Sequence, residues 1–537
     1  MLRNFIVVFL LLVACFVSSA QIKVIEGAEN KTDAEKAHFD LLLEKDGKLV
    51  VLNTREDQKG NAEYVLQVYD RNKQYIVVNE LILELNIEEE VKDGSFKIEH
   101  VQSIDKTVYL FVSVENKKET QKFYYAAAIN SALETVISWK ELYTIDLPET
   151  DNNNPFSSLI EELFIRYWQQ DSIFMCREPQ VMYGAGNNIR KKDYIDLELD
   201  FIDYEYVKVR DKIKPKIEEN PNYLIADCFS PQSNKKLHVY LTSEDKVYNE
   251  KPSRQSLYFA LYNSSYLIKH DDGKLIDFPE NYYCGEIDCL YDSADNSIVV
   301  AAFYFDHRKK GKNPHGIFFL KYDVTSSVVS QHEFTPFTES MKNSFDDSES
   351  LKDNKEMFGI KIPGVKIIKT SNKYLVYSNR RNISTTTQTG LEKEKHSATA
   401  LFGDIFMFVA DATGKLTLQS YVPVKSEHKV DLKIYIHFSD ILNFEKGNNV
   451  YWIFPDNIKN YTNGAYNGKT KEDDGKENSC LALLTITDDK TERTVLTTHK
   501  DLGVNLFQTS VLKIKDNEYV MMGFKDGTAK VITLTLE

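Results

Sequence analysis

The chain has 537 residues, a hydrophobic fraction of 42%, and 31 Tyr and 30 Phe, which supply a large core and a composition that leans towards strands. Only 13 Pro and 22 Gly exclude collagen-like and low-complexity architecture. A formal net charge of -15 disfavours non-specific nucleic-acid binding and docking on anionic lipid by charge alone.

The N-terminus has the layout of an export signal. Arg3 supplies a positive start, Phe5 to Phe16 an apolar run, and Ser18-Ser19-Ala20 a small-residue cleavage pattern before Gln21. The run is too short for a comfortable membrane span, and nothing later approaches an unbroken apolar stretch of about 18 residues. The expected organisation is therefore a signal peptide over 1–20 and one exported domain over 21–537. A competing reading takes Leu12-Val13-Ala14-Cys15 as a bacterial lipobox with a lipid anchor on Cys15. Cleavage before Gln21 fits better, because the stretch after Cys15 stays apolar. Cys176, Cys228, Cys284, Cys289 and Cys480 would then remain, an odd set over a long chain and no disulfide framework. Cys284 and Cys289 are close enough in sequence to suggest a local pair.

The chain then repeats a pattern of four short strands. Ile22 to Glu26 is a short apolar piece ahead of the first full unit. That unit reads His38 to Glu44, a Lys45-Asp46-Gly47-Lys48 turn, Leu49 to Asn53, Tyr64 to Tyr69 and Tyr75 to Leu85. The second runs from Phe96 to Ile145. The third is less regular: Leu159 to Trp168 fits a strand or a helical turn, while Tyr194 to Ile202 alternates Ile195, Leu197, Leu199 and Phe201 against Asp196, Glu198 and Asp200, the period of a half-buried strand. The fourth spans Tyr223 to Phe278. The fifth holds Cys284 to Tyr291, Ser297 to Phe305 and the hairpin Gly316 to Phe334. The sixth runs from Val365 to Val422, the seventh from Asp440 to Thr498. Phe507 to Leu536 supplies only three strands.

A polar residue closing each third strand counts the units: Asp70, Asn130, Asp203, Asn263, Asp323, Asp411 and Asp488. They lie roughly 60 to 88 residues apart, a period that signals a propeller or array. The predicted fold is an all-β β-propeller of four-stranded antiparallel blades. Eight blades are favoured and seven remain open, with the ring closed by Ile22 to Glu26 as the missing last strand.

Connections between second and third strands are mostly long and polar, and loops on a rigid scaffold are where binding resides. Pro455 to Asn478, following Tyr451 and Trp452, carries Tyr461, Tyr466 and several Asn, suited to stacking on sugars or peptides. Asn379 to Thr399 carries Arg380 and Arg381, suited to an acidic ligand. Asp306 to His315 carries His307 and His315, at a spacing that matches no helical metal-ligand pair. The ligand-binding candidates are Trp452, Tyr461, Tyr466, Arg380, Arg381, His307 and His315. No catalytic residue, metal ligand or cofactor is assigned. Asp346-Asp347-Ser348-Glu349 and Asp473-Asp474-Gly475 lack the alternating oxygen pattern of a calcium loop. Sequons stand at Asn30, Asn263, Asn382 and Asn460.

The Ala-Gln cleavage site, the Lys/Asn/Tyr-rich strands and units such as FFLKYDVTSSVVSQHEF resemble uncharacterised exported β-propeller-like proteins of Bacteroidota. The resemblance covers most of residues 21 to 537 and transfers no active residues. It implies a periplasmic or envelope location more than full secretion. The expected function is a non-enzymatic binding or scaffold propeller that engages a protein, peptide or glycan through its long-loop face, with no nucleic-acid partner. The alternative is a propeller enzyme acting on glycans or peptides at the central channel.

Overall fold

The computed structural model describes residues 22–32, 37–56, 62–85, 96–104, 107–116, 121–146, 159–167, 172–181, 198–203, 208–213, 223–230, 235–243, 255–263, 274–279, 282–306, 314–347, 365–370, 373–389, 394–430, 441–447, 449–473, 477–487, 490–506 and 511–537. Within them the chain forms successive antiparallel sheets. The first is Ala37–Lys45, Lys48–Glu56, Ala62–Asp70 and Ile76–Ile82. The second is Phe96–Ile104, Thr107–Asn116, Gln121–Asn130 and Thr135–Asp146. The third is Leu159–Tyr167, Ser172–Val181, Glu198–Asp203 and Lys208–Ile213, and the fourth Tyr223–Ser230, Lys235–Ser243, Gln255–Asn263 and Lys274–Asp277. The fifth is Tyr282–Asp292, Ser297–Asp306, Gly316–Asp323 and Val328–Pro336, and the sixth Lys366–Lys369, Lys373–Thr389, Glu394–Asp411 and Leu416–Val430. The seventh has six strands, Leu442–Lys446, Asn449–Asn457, Ser479–Ile486 and Thr491–Thr498 plus the two-residue strands Tyr461–Thr462 and Ala465–Tyr466. The eighth joins Val511–Lys515, Glu518–Lys525 and Thr528–Leu536 to Ile22–Lys31. The fold is a β-propeller, built of four-stranded antiparallel meanders.

Ile22–Lys31 lies antiparallel to Thr528–Leu536, from Ile22 opposite Leu536 to Lys31 opposite Thr528, with an irregularity between Glu26 and Glu29. The piece expected to supply the last strand therefore does so. Lys530 secures it: its ammonium donates to Glu26 Oε2 and to the carbonyl of Leu502, both at 2.9 Å.

The third strands end at the polar residues that counted the units: Asp70, Asn130, Asp203, Asn263, Asp323 and Asp411. Asp488 lies outside the described residues. The chemistry behind the landmark is an Asx turn, in which the side chain stands in for the backbone of the next strand. Asp323 Oδ1 accepts from the amides of Thr325 (2.8 Å) and Ser326 (2.9 Å). Asn130 Oδ1 accepts from Ala132 and Glu134, both at 2.9 Å, and Asp411 Oδ1 from Thr413 and Lys415. Asp70 Oδ1 accepts from Asn72 at 3.0 Å.

The chain divides into two compact units, one of Met1–Leu83, Ile383–Ala400 and Lys425–Glu537, the other of Glu84–Asn382 and Leu401–Val424. In the second, the period-2 alternation of the fifth sheet feeds two cores. Ile298, Val300, Ala302 and Tyr304 with Phe318, Leu320 and Tyr322 meet Ile276 and Phe278 of the fourth sheet side. Val299, Ala301 and Phe303 with Ile317 and Phe319 meet Ile367, Tyr374, Val376, Phe406 and Phe408 of the sixth. Both faces of Ser297–Asp306 are thus buried, whereas Val328–Pro336 is mostly exposed or half-buried. Gly316 starts the third strand where a Cβ would collide with the carbonyl of Thr335 and the ring of Tyr304. In the first unit the eighth sheet has the same two-faced burial. Met521, Ile532 and Leu534 pack on Leu442, Phe444, Tyr451 and Ile453 of the seventh sheet. Val520, Met522 and Val531 pack on Phe39, Leu41, Leu49 and Tyr69 of the first.

The open alternative at Leu159 is decided, and four expectations change. Leu159–Tyr167 is a strand, and Lys208–Ile213 completes the third sheet with a strand the sequence did not mark. Asn379 to Thr399 is not one long loop: Lys373–Thr389 and Glu394–Asp411 carry most of it as an extended hairpin. Its Ile383, Thr385, Thr386 and Thr387 are β-branched, and polarity concealed that strand preference. Of Pro455 to Asn478, the described residues 455–473 are likewise an ordered insert. Cys284 and Cys289 are not joined as a local disulfide pair. They lie on one extended strand, Cys284 opposite Tyr304 and Cys289 opposite Val300. Five residues at ~3.3 Å each exceed disulfide reach. No helix of the described residues is long and apolar enough to cross a membrane.

Candidate functional site

The best-defined polar assembly is the insert of the seventh sheet. It begins where Asn449–Asn457 runs past Leu442–Lys446, whose pairing stops at Ile453, while staying paired with Ser479–Ile486. Tyr451 and Ile453 of that strand enter the core shared with the eighth sheet. Trp452 points the other way, has no exposed surface, and donates its indole N–H to Asn443 Oδ1 at 3.1 Å. Trp452 is therefore a core residue, closed to a ligand.

Asp456 follows, also with no exposed surface. A carboxylate there needs compensation, because a buried unpaired charge costs several kcal/mol. Three groups supply it: the guanidinium of Arg493, the hydroxyl of Tyr461, and the Asn460 amide at 2.8 Å. Arg493 Nε also donates to Tyr461 Oη at 2.9 Å, which closes an Asp-Tyr-Arg triangle. The guanidinium lies 4.4 Å from the Tyr466 ring centroid and 5.2 Å from that of Phe454, a cation–π arrangement on each. Burial, then the negative charge of Asp456, drives the Tyr461 phenol far above its usual value, so it stays protonated as a donor. Burial pulls Arg493 down, but Asp456 and Tyr461 outweigh it and its proton is held more tightly than usual. Burial followed by Asp456 and Asp473 likewise holds the Cys480 thiol in its neutral form.

Asparagines order the rest. Asn457 Oδ1 accepts from Lys459 N at 2.9 Å and caps the short 3₁₀ turn Ile458–Asn460, while its amide donates to Glu472 O at 2.6 Å. Asn460, fully buried, accepts from Lys471 N at 2.5 Å and donates to Lys471 O at 3.2 Å. Asn467 N donates to Asn460 O at 2.9 Å. The hairpin turns through Asn463 (φ 52°) and Gly464 (φ 81°), the left-handed pair that a tight two-residue turn demands. Asp473 is buried and accepts from the hydroxyls of Ser479 and Ser426, and its amide donates to Lys425 O at 2.8 Å. Its oxygens are thus engaged as structural acceptors. Among the described residues no group of three or more His, Cys, Asp or Glu is placed to hold a metal ion.

Of the seven predicted candidates, Tyr461 and Tyr466 come together, their ring centroids 6.2 Å apart. Tyr461 is 8% exposed and works inward, and Tyr466 is half-buried over Arg493. His315 is half-buried between Tyr304 and Tyr282, with centroids at 5.6 and 5.9 Å, and its amide donates to Tyr304 O. His307 lies outside the described residues. Arg380 and Arg381 fall in the strand Lys373–Thr389, with their side chains outside the description. Asp456 and Arg493, the centre of the insert, were missed by sequence reasoning. Neither stands in a motif, and the pair is 37 residues apart. Two sequons prove structural. Asn460 is the knot just described, and Asn30 is 9% exposed, donating to Tyr75 O at 2.9 Å and accepting from Val77 N at 2.9 Å.

No family model matches the chain. No curated protein matches it either. Among solved structures it is similar to the WD40 domain of SCAP from fission yeast, at 10% identity over 96% of this chain and 98% of that one, with a TM-score of 0.34. It is similar to the β-propeller domain of the Trilobed protease from Pyrococcus furiosus, at 10% identity over 88% and 98%, TM-score 0.29. An α-L-arabinofuranosidase from Fusarium graminearum gives 12% identity over 74% and 98%, TM-score 0.29. At these TM-scores the likenesses carry no argument, and the fold rests on the sheet order.

Proposed function

We propose that the chain is an exported binding or scaffold propeller, of the kind seen among propeller-like envelope proteins of Bacteroidota, and that the insert of the seventh sheet is its recognition element. One observation carries this reading. The insert's interior polar groups are bonded to one another through Asp456, Tyr461, Arg493, Asn460 and Asn467. The surface over them, including Thr462, Asn463, Ala465 and Thr470, is exposed. A surface held rigid before the ligand arrives loses little entropy on binding. The Arg3 to Ala20 stretch supports export, and the periplasm or envelope is the expected location.

The test is affinity capture from envelope extracts with the mature chain immobilised, beside a Thr462→Trp/Thr470→Trp variant that blocks the exposed hairpin. The expected result is a ligand retained by the natural chain and lost by the blocked one. Identical retention by both chains would overturn the assignment of the insert.

A further inference from the structure

We infer that the insert binds an anionic polysaccharide, one bearing carboxylate or sulfate groups, through Lys459, Lys469 and Lys471. The inference rests on the binding reading above and names its ligand class.

Charge is the first observation. Residues 457–471 contain three lysines and no acidic residue, and of the acidic residues that flank them Asp456 is paired with Arg493, Glu472 with Lys425, and Asp473 is buried. A local excess of positive charge on an acidic protein focuses anions at that place. Position is the second. Asn467 accepts from the Lys469 amide at 3.0 Å and donates to the Lys459 carbonyl at 3.2 Å. Asn460 bonds both the amide and the carbonyl of Lys471 and directly follows Lys459. Two asparagine side chains thus fasten all three lysine backbones to one knot. All three lysines are exposed, and among the described residues none pairs with a carboxylate. The adjacent Glu472 faces Lys425, at 3.2 Å.

The surroundings select the class of anion. The exposed residues between the lysines are Thr462, Asn463, Gly464, Ala465, Gly468 and Thr470. They offer hydroxyl, amide and backbone groups and no large apolar side chain. A protein partner would need an apolar or aromatic centre to the interface, with anchors seated in pockets. Here Tyr466 is half-buried and its ring is engaged by Arg493. Small polar groups spaced between fixed ammonium groups match a hydroxylated polymer with a charge on its repeat. Nucleic acid shares the charge, but the acidic remainder of the chain opposes a long polyanion of high charge density.

The experiment titrates the full mature chain with polygalacturonate oligomers, a neutral dextran, polyglutamate and a single-stranded oligonucleotide, read by calorimetry or anisotropy. Polygalacturonate is expected to bind best, and several-fold more weakly when salt rises from about 50 to about 200 mM. The K459Q/K469Q/K471Q variant should lose roughly tenfold or more, since each exposed charge pair contributes up to several-fold. K513Q, at an exposed lysine of the eighth sheet, should bind as the natural chain does. The thermal midpoint of the triple variant, unchanged within a few degrees, separates lost binding from lost folding. Equal binding of dextran, preference for polyglutamate or the oligonucleotide, or full binding by the triple variant each overturns the inference. If no polygalacturonate binds while capture from extracts still depends on the insert, the ligand class falls and the binding reading stands. If both fail, both fall.

Discussion

Substituting Arg493→Met tests whether the Asp-Tyr-Arg triangle holds the insert. Arg493 is 7% exposed and Asp456 is 0% exposed, so removing the guanidinium strands a carboxylate in the interior. Breaking a buried ion pair from one side costs about 3–5 kcal/mol. Asp456 would keep its hydrogen bonds from Tyr461 and Asn460, which places the cost near the lower end, about 3 kcal/mol. Methionine still packs against the rings of Phe454 and Tyr466, so little of the loss comes from contact area. The effect is local and is best read by amide hydrogen exchange over residues 458–471. About 3 kcal/mol corresponds to a protection loss of roughly a hundredfold or more there, with the core of the fifth sheet unaffected. In the D456N/R493M double variant no charge is stranded, and the protection should largely return, with a coupling of about 2 kcal/mol. Protection within about threefold of the natural chain in R493M, or simple additivity of the two single substitutions, would refute the reasoning.

Gly316→Ala should destabilise the chain by about 2 kcal/mol or more, seen as a lower urea midpoint, because the new Cβ meets the Thr335 carbonyl, which the strand pairing holds in place. Asp292 is pushed up by burial, but hydrogen bonds from Lys369 and Tyr374 outweigh this and hold its folded pKa below the usual 3.8. Its contribution is therefore full above about pH 4 and is lost as pH falls through the folded value. Asp292→Asn should flatten the fall of the thermal midpoint below pH 4, and an unchanged slope would count against the ion pair. Burial pushes the Cys284 thiol up to about 12 and Cys480 higher still. Neither should be alkylated at pH 8 in the folded chain by mapped iodoacetamide labelling, and no Cys284–Cys289 bridge should be found.

The sequence revealed what depends on local chemistry. Asp323 and its counterparts announced their turns because an Asx side chain bonds amides only two to four residues on. The composite sheet was legible because three strands at the end and one at the start are a countable mismatch. The insert was not. Pro455 to Asn478 has no apolar alternation, and the order of residues 457–472 comes from Asn457, Asn460 and Asn467 bonding main-chain atoms up to 15 residues away. Asp456 and Arg493 matter only after two strands are in register, and periodicity does not report on pairing of that kind. Trp452 was misplaced for a related reason: an aromatic next to a polar stretch looks like a platform until the strand's parity is known.

The sheet shared by Ile22–Lys31 and Thr528–Leu536 also orders events in time. Glu26 and Lys530 meet across 504 residues of sequence. Ile22–Lys31 is made long before Thr528–Leu536, so its partner is absent while the residues between them are added. Loop-closure entropy grows only slowly with length, by about 0.6 kcal/mol per doubling, so the delay is a matter of rate more than of final stability. Until the closing strand arrives, the faces of the last sheet that bury Ile532 and Leu534 are unfinished. A chain cut short before Thr528 leaves Ile22–Lys31 without its partner, an open edge ready to pair with a neighbour.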